Sequence, residues 1–293
     1  LKLVSNSGSI QSQQIKIDSG SRGLTAISGV LNANSETGQG GVVEITGKEI
    51  NVNSAIISAD GSSGGGRVLI GGDWQGSGDL LQATYVDISK DTTISANAIN
   101  SGSGGTIVAW SDITDSNSTT KVSGTLSAKG MNGAGGQIET SGSKLNVDSI
   151  AVNTEASDGS AGNWLLDPYN VTIGSSGDGT YIANTDDDTI SASSLNSSLS
   201  STNIEITTGS SGSQSGNITI SSDLTIPTSR QLTLSAAGGI LGSSNIANSG
   251  TIIFNNSGDG TYSGVISGAG ALTKQGPGTL ALSGRNSYTG DTT

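Results

Sequence analysis

Few side chains of this 293-residue chain are suited to catalysis. It contains no histidine and no cysteine, and its only arginines are Arg22, Arg67, Arg230 and Arg285. Hydrolytic chemistry needs paired carboxylates at a working separation, or a base beside a metal ion. No pair of acidic residues recurs at a position in the sequence that we can identify as part of a cleft. We therefore expect no enzyme activity, no cofactor and no metal site, with a polysaccharide-acting enzyme as the weaker alternative.

The residues best placed to contact a ligand are Trp74 and its neighbour Asp73. They lie in the segment GGDWQGSGDLLQ (Gly71–Gln82), which has the character of a loop growing out of one turn of a repeat. An exposed indole on such a loop could stack on the face of a sugar. The alternative, which we favour, is that Trp74 folds back over the adjacent strand. We expect Trp110 and Trp164, which follow glycine turns, to pack against neighbouring coils or against an outward shelf.

A run of three acids suggests a calcium site, but its spacing argues against one. Asp186, Asp187 and Asp188 are consecutive, and clustered carboxylates can supply oxygen ligands to calcium. Consecutive residues of an extended chain point to opposite sides, and the spacing of a known calcium loop is absent. We expect a solvated turn there, and also at Asp178 and Asp259, which each lie between two glycines.

Some polar residues are candidates for modification or for contact with polysaccharide. Lys274 and Arg285 lie among glycine turns and could meet an acidic polysaccharide, although single bases on a net-negative surface usually serve solubility. Asparagine acceptors of the Asn-x-Ser/Thr type could carry a glycan, and several are expected by chance in a chain so rich in these residues. These acceptors are Asn117, Asn170, Asn196, Asn217 and Asn255.

The composition narrows the classes of partner. The formal net charge is −12, from 24 acidic and 12 basic residues. That field repels phosphate backbones, so we expect neither nucleic acid nor an anionic membrane as a partner. No apolar stretch approaches the length of a membrane span. The absence of cysteine excludes disulfides without deciding the compartment.

The elements that position these residues follow from a repeated glycine turn. Glycine pairs begin at residues 40, 65, 104 and 135, and a degraded copy begins at residue 162. We expect these glycines to adopt positive φ. The alternating pattern beyond each turn predicts a half-buried strand. The residues at its inward positions are Val43 and Ile45, Val68 and Ile70, Ile107 and Ala109, Ile138 and Thr140, and Leu165 and Asp167.

Two shorter apolar pairs precede each glycine turn, as in Ile50-x-Val52 and Ile57-x-Ala59. One unit is therefore two short strands, a glycine turn and a third strand. Such a period is typical of a solenoid, whose units bury their apolar faces only by stacking. The sequence thus predicts an all-β fold, a parallel β-helix with three strands per coil. Low hydrophobicity would also suit a disordered segment, but the apolar columns in phase argue against disorder.

The style of the repeat changes at Asp167-Pro168, where proline cannot donate to a ladder. We predict a β-helix with glycine-turn repeats over 1–167, a β-helix of altered repeat style over 168–250, and a final repeat region over 251–293 that continues the solenoid. Within the middle part, Leu195 and Leu199 are four residues apart and indicate a single helical turn.

Two parts of the sequence resemble known families of exported bacterial proteins. The segments GGGRVLIGGDWQGSG, TYVDISKDTTISANAINSGSGGTIVAWSD and NWLLDPYNVTI resemble filamentous-haemagglutinin-type exoproteins of two-partner secretion, a likeness that covers about 1–234. The ending GVISGAGALTKQGPGTLALSGRNSYTG is similar to the autotransporter-associated β-strand repeat, over about 251–293. The resemblance implies a right-handed β-helix, secreted or displayed on the outer membrane of a Gram-negative cell after passing an outer-membrane transporter.

The same resemblance implies a function in attachment. We expect an internal segment of a longer adhesin, without the N-terminal secretion domain of the family, that attaches to host or bacterial surface glycans or to matrix proteins. The alternative is a stalk that presents a distant binding tip and recognises nothing itself. Because open coil ends expose unpaired strand edges, we also expect the fragment to associate end to end.

Overall fold

The computed structural model describes residues 2–175, 188–209 and 215–293. These residues form 31 strands with one α-helix and one 3-10 helix. They divide into two compact units, Leu1–Leu165 and Leu166–Thr293. In each unit the sheets consist of parallel strands that are taken from successive coils. The predicted parallel β-helix with three strands per coil is confirmed, while the three sequence regions proposed above stay a prediction.

The first unit has three walls, each built from every third strand. Wall A consists of β1 (Lys2–Asn6), β4 (Gly23–Ile27), β7 (Glu49–Val52), β10 (Tyr85–Ile88), β13 (Thr119–Val122) and β16 (Lys144–Asn146). Wall B consists of β2 (Ser9–Gln11), β5 (Val30–Asn32), β8 (Ile56–Ser58), β11 (Thr93–Ser95), β14 (Thr125–Ser127) and β17 (Ala151–Asn153). Wall C consists of β3 (Gln14–Asp18), β6 (Val42–Thr46), β9 (Arg67–Ile70), β12 (Thr106–Trp110), β15 (Gln137–Ser141) and β18 (Asn163–Asp167).

The register of the walls follows the apolar columns of the sequence. In wall C, Val68 lies opposite Val43 on one side and Ile107 on the other, and Ile107 lies opposite Ile138. The two shorter columns are paired in the same way in walls A and B. These side chains are fully buried, because the inward face of every strand meets the other two walls. The core is therefore a narrow stack of aliphatic side chains.

The glycine pairs are needed for close approach between coils and not for positive φ. Gly66 and Gly105 both lie outside the positive-φ region, so the sequence expectation for them is wrong. A Cβ atom added to Gly105 would lie far inside van der Waals contact with the Gly66 carbonyl oxygen, and one added to Gly66 would meet that of Gly41. The corner thus stacks backbone directly on backbone, which only glycine permits.

The second unit has the same three-walled architecture, except that a short helix replaces a strand in one coil. One wall contains β19 (Val171–Gly174), β20 (Asp188–Ser191), β22 (Ile218–Ile220), β25 (Ile240–Gly242), β28 (Gly260–Tyr262) and β31 (Leu280–Leu282). A second contains β23 (Leu224–Ile226), β26 (Ile246–Asn248) and β29 (Ile266–Ser267). The third contains β21 (Asn203–Thr208), β24 (Gln231–Ala236), β27 (Thr251–Asn256) and β30 (Ala271–Gln275).

A short helix takes the place of a strand in one coil of the second unit. The N-cap of helix α1 (Ala192–Ser198) is Ser191, whose side chain accepts a hydrogen bond from the Ser194 N–H, as N-cap serines do. Leu195 and Leu199 are both fully buried. The predicted helical turn is confirmed.

The last coils of the second unit have one fixed length. Leu272 lies opposite Ile252, and Ile252 lies opposite Leu232, so partners are separated by one constant interval along the chain. Asn248 and Asn256 are fully buried at the ends of their strands. The Asn256 side-chain amide donates to the carbonyl oxygens of Gly258 (2.7 Å) and, in the next coil, Thr279 (3.1 Å). The Asn248 amide likewise donates to the Ala271 carbonyl at 2.9 Å.

Candidate functional site

The loop Gly71–Gln82 covers the outward face of wall C. Strands β9 and β12 direct Leu69, Val108 and Trp110 outward, yet all three side chains are buried. The part of the loop around Trp74 and Leu80 packs against them, and the Trp110 indole N–H donates to the Gln82 side-chain oxygen at 3.0 Å. At β9 and β12, wall C therefore has apolar contacts on both faces, which explains why Leu69 and Val108 are apolar although they point outward.

Two carboxylates hold the loop in place. Asp73 forms an ion pair with Arg67 at 2.7 Å, and the same oxygen accepts the Trp74 N–H at 2.7 Å. Gln75 has a positive φ of 52°, a conformation that is costly for a residue other than glycine. The Gln75 N–H donates to the carboxylate of Glu139 at 2.8 Å, and Glu139 is fully buried. A buried hydrogen-bond acceptor thus holds the strained turn in place.

Trp74 is half-buried and packs against Leu69, Val108 and Trp110. It therefore folds back over the adjacent strand, which is the alternative favoured above. A ligand contact by Trp74 or Asp73 stays a prediction. Trp110 and Trp164 are buried as expected, and the Trp164 indole N–H donates to the Thr140 hydroxyl in the preceding coil at 3.0 Å.

Wall A of the first unit presents a different surface, on which polar groups surround one aromatic ring. Tyr85 is half-buried, and its hydroxyl donates to the Asp87 carboxylate at 3.1 Å. The Lys121 ammonium lies over the ring, 5.7 Å from its centroid. Tyr85 lies opposite Glu49 and Thr119 in the sheet. We name the outward side chains of β7, β10 and β13 here, with the adjacent turns, the Tyr85 face.

Two open hollows, of about 460 and 470 Å³, share Tyr85 as a lining residue. The first lies at the start of β10 and is lined also by Lys48, Glu49, Thr84, Asp115 and Asn117. The second lies toward the end of the strand and is lined also by Asn51, Val52, Asn53, Asp87 and Ser89. The side chains that line both hollows offer hydrogen-bond donors and acceptors.

The five glycan acceptors lie in different surroundings. Asn117 is exposed in a turn, where its N–H donates to Asp115. The Asn196 side chain bridges to the backbone of Asp223 and Thr225. The other three are only partly exposed: Asn170 accepts from the Asn217 N–H, Asn217 from the Gly239 N–H, and Asn255 donates to the Ser235 hydroxyl. Their glycosylation stays a prediction.

The acidic candidates have no common site. Asp186, Asp187 and Asp178 lie outside the described residues, while Asp188 begins β20. Asp259 is near the surface, and the Thr279 N–H that donates to its carboxylate lowers its pKa. In the described part of the chain, no three or more carboxylate side chains are grouped closely enough to hold a metal ion.

Asp167 is half-buried and is the last residue of β18, a strand that begins in the first unit and ends in the second. Burial, with a smaller contribution from the nearby Glu205, raises the pKa of Asp167 to about 6. The side chain is therefore partly protonated near neutral pH. Because protonation of this carboxyl group favours the folded state, its contribution to stability is largest at mildly acidic pH and is lost as pH rises through about 6.

Sequence reasoning missed Tyr85 and Glu139. Tyr85 and Asp87 alternate with the buried Val86 and Ile88, so the period of two could have placed the ring outward on wall A. Nothing in the sequence indicates that Glu139 is buried, because its partner comes from a loop 64 residues earlier.

The comparisons with known proteins bear on the end of the chain. Residues 272–293 match the model of the passenger-associated transport repeat, a repeat found in autotransporter passenger domains. No curated protein matches the chain. The match indicates a passenger-type segment of an exported protein that is secreted or held at the cell surface. None of the helices in the described residues has the length and apolarity needed to cross a membrane.

Proposed function

We propose that this chain is part of an exported bacterial surface fibre that attaches its cell to other surfaces. The observation that carries the proposal is the passenger repeat at 272–293, continuous with 20-residue coils of a parallel β-helix. Repetition of coils multiplies weak contacts, and several weak contacts on one scaffold add through avidity. The targets we propose are host or bacterial surface glycans and matrix proteins.

Export through an outer-membrane transporter belongs to the same proposal. It is supported by the passenger repeat, whereas assignment to two-partner secretion depends on the family resemblance of the segments around Trp74 and Trp110. Protease treatment of intact cells that produce the protein tests the location. We expect the protein to be degraded while the cells remain intact, and full protection would contradict surface display.

The test of attachment uses the purified chain on cultured epithelial cells, Gram-negative cells and immobilised matrix proteins. We expect saturable binding to at least one of these surfaces. Absence of binding to all of them would contradict attachment by this chain and would favour the second candidate, a stalk. That candidate is supported by the uniform coils of 231–293, which repeat one backbone pattern at a constant interval.

We also propose that the chain is not an enzyme. The proposal is supported by the absence of histidine and cysteine from the sequence and by the structural contacts of the buried Glu139. Release of reducing ends from host and bacterial polysaccharides is the measurement. Turnover above that of a heat-inactivated sample would contradict the proposal.

A further inference from the structure

We propose that the Tyr85 face binds an uncharged oligosaccharide, which deepens the proposed attachment function and depends on it. The face belongs to the regular part of wall A and not to a loop. Its strands hold Glu49, Tyr85 and Thr119 in one row and Asn51, Asp87 and Lys121 in the next. Rows of this kind keep polar groups at fixed separations, which limits the entropy lost on binding.

The aromatic ring has a fixed position at the centre of the face. Its hydroxyl is held by Asp87, and the Lys121 ammonium lies near the ring. The two hollows meet at this ring, one toward each end of β10. A chain of sugar rings laid along the strand would therefore cross Tyr85 and place a ring in each hollow.

The chemistry of the lining fits sugar hydroxyls. A hydroxyl both donates and accepts hydrogen bonds, and it needs both kinds of partner within reach. Carboxylates of Glu49, Asp87 and Asp115 accept, ammonium groups of Lys48 and Lys121 donate, and neighbouring amides do both. The C–H groups of a pyranose ring contact the face of an aromatic side chain favourably, as apolar surface does elsewhere.

The charges of the face select against other ligands. Three carboxylates interleaved with two ammonium groups leave no basic patch for a polyanion, and the chain as a whole carries −12. Among the described residues that line the hollows, the single aliphatic one, Val52, is buried, so an apolar peptide would find no exposed aliphatic side chain there. An uncharged polyhydroxylated chain is the ligand that meets both conditions.

The test measures binding of the full chain to immobilised neutral oligosaccharides of glucose, mannose, galactose and N-acetylglucosamine, with heparin and polysialic acid as anionic comparators. We expect saturable binding to at least one neutral oligosaccharide. Tyr85→Ala should weaken it at least about tenfold, which is the loss of one well-made contact. Tyr85→Phe, which keeps the ring, should stay within about threefold of the wild type.

Tyr288→Ala is the matched control, since Tyr288 is a partly exposed tyrosine of the second unit. It should leave sugar binding unchanged, and equal thermal unfolding of all variants shows that they are folded. Binding only to the anionic polymers, or equal binding by Tyr85→Ala, would overturn the proposal.

Attachment to cells distinguishes this proposal from the function on which it depends. If the chain binds cells but no neutral oligosaccharide, or if Tyr85→Ala binds cells as well as the wild type does, the Tyr85 face is the wrong site while attachment stands. If the chain binds neither cells nor sugars, both proposals are wrong.

Discussion

The two units solve the stacking of coils in different ways. In the first unit, partners in wall C are separated by 25 residues from Val43 to Val68 and by 39 from Val68 to Ile107, because the loop Gly71–Gln82 is inserted and then folded onto the wall. In the last coils of the second unit the separation is constant, and buried asparagine amides connect successive coils. Coils of variable length accommodate a surface loop, whereas coils of uniform length keep the hydrogen bonds between successive strands regular.

The difference shows where each unit places its polar groups. In the first unit, the Glu139 side chain is buried on the outward face of wall C, under the loop Gly71–Gln82. The second unit buries Asn248 and Asn256 at its corners, where their amides reach backbone carbonyls of the next coil. Removal of the loop contacts should therefore affect one wall, while removal of an amide should affect one junction between coils.

The largest effect is expected from Trp110→Ala in the first unit. The indole is buried between wall C and the loop, and loss of a buried tryptophan side chain costs about 4 kcal/mol of unfolding free energy. Denaturant unfolding followed by far-ultraviolet circular dichroism is the measurement. Trp74→Ala, at a half-buried site, is the control and should cost less than half as much. A loss for Trp110→Ala no larger than the loss for Trp74→Ala would contradict the burial of Trp110 between the wall and the loop.

The second prediction concerns pH and the second unit. Because the folded-state pKa of Asp167 is raised to about 6, from an ordinary value near 4, the folded state retains a proton that the unfolded state has lost. The unfolding free energy should therefore fall as pH rises from about 4 to about 6, by roughly 2 kcal/mol, and then level off.

Asp167→Asn should remove this pH dependence from the unfolding of the second unit. Glu205→Gln is the control and should reduce the dependence only partly, since burial is the larger cause of the raised pKa. A wild-type stability that rises with pH over this range would contradict the account.

The smallest effect is expected from Asn256→Ala at a corner of the second unit. The substitution leaves the carbonyl oxygens of Gly258 and Thr279 without this donor, a loss of about 1–2 kcal/mol. Asn255→Ala is the matched control, because the adjacent side chain is half-exposed and makes one longer bond, 3.3 Å to Ser235. If the control loses as much stability as Asn256→Ala, the buried amide is not what connects these coils.

The sequence predicts the core of this molecule better than its surface. Columns such as Val43, Val68 and Ile107 are local patterns with a fixed period, and the register reproduces them. The helical turn at Leu195 follows from the same local reasoning. The reason for the glycine pairs could not be predicted, because close approach of Gly105 to Gly66 is a property of stacked coils and not of one turn.

The candidate site illustrates the same limit. An aromatic residue in a loop drew attention to Trp74, whose partners are Leu69, Val108 and Trp110. Tyr85 lies in a regular strand, and its surroundings come from two other strands and a turn that are distant in sequence. Contacts between residues of different coils, such as those around Tyr85, can be identified only from the stacked structure.

The constant separation of partners in 231–293 has a consequence for how such a chain can change in length. Residues one period apart occupy equivalent positions. An in-frame duplication of one period would therefore insert one complete coil, and the new coil would form the same backbone hydrogen bonds with its two neighbours. A protein of this design can grow or shrink by genetic slippage without redesign of its interior. The first unit lacks this freedom, because its loop and the residues beneath it are specific to single coils.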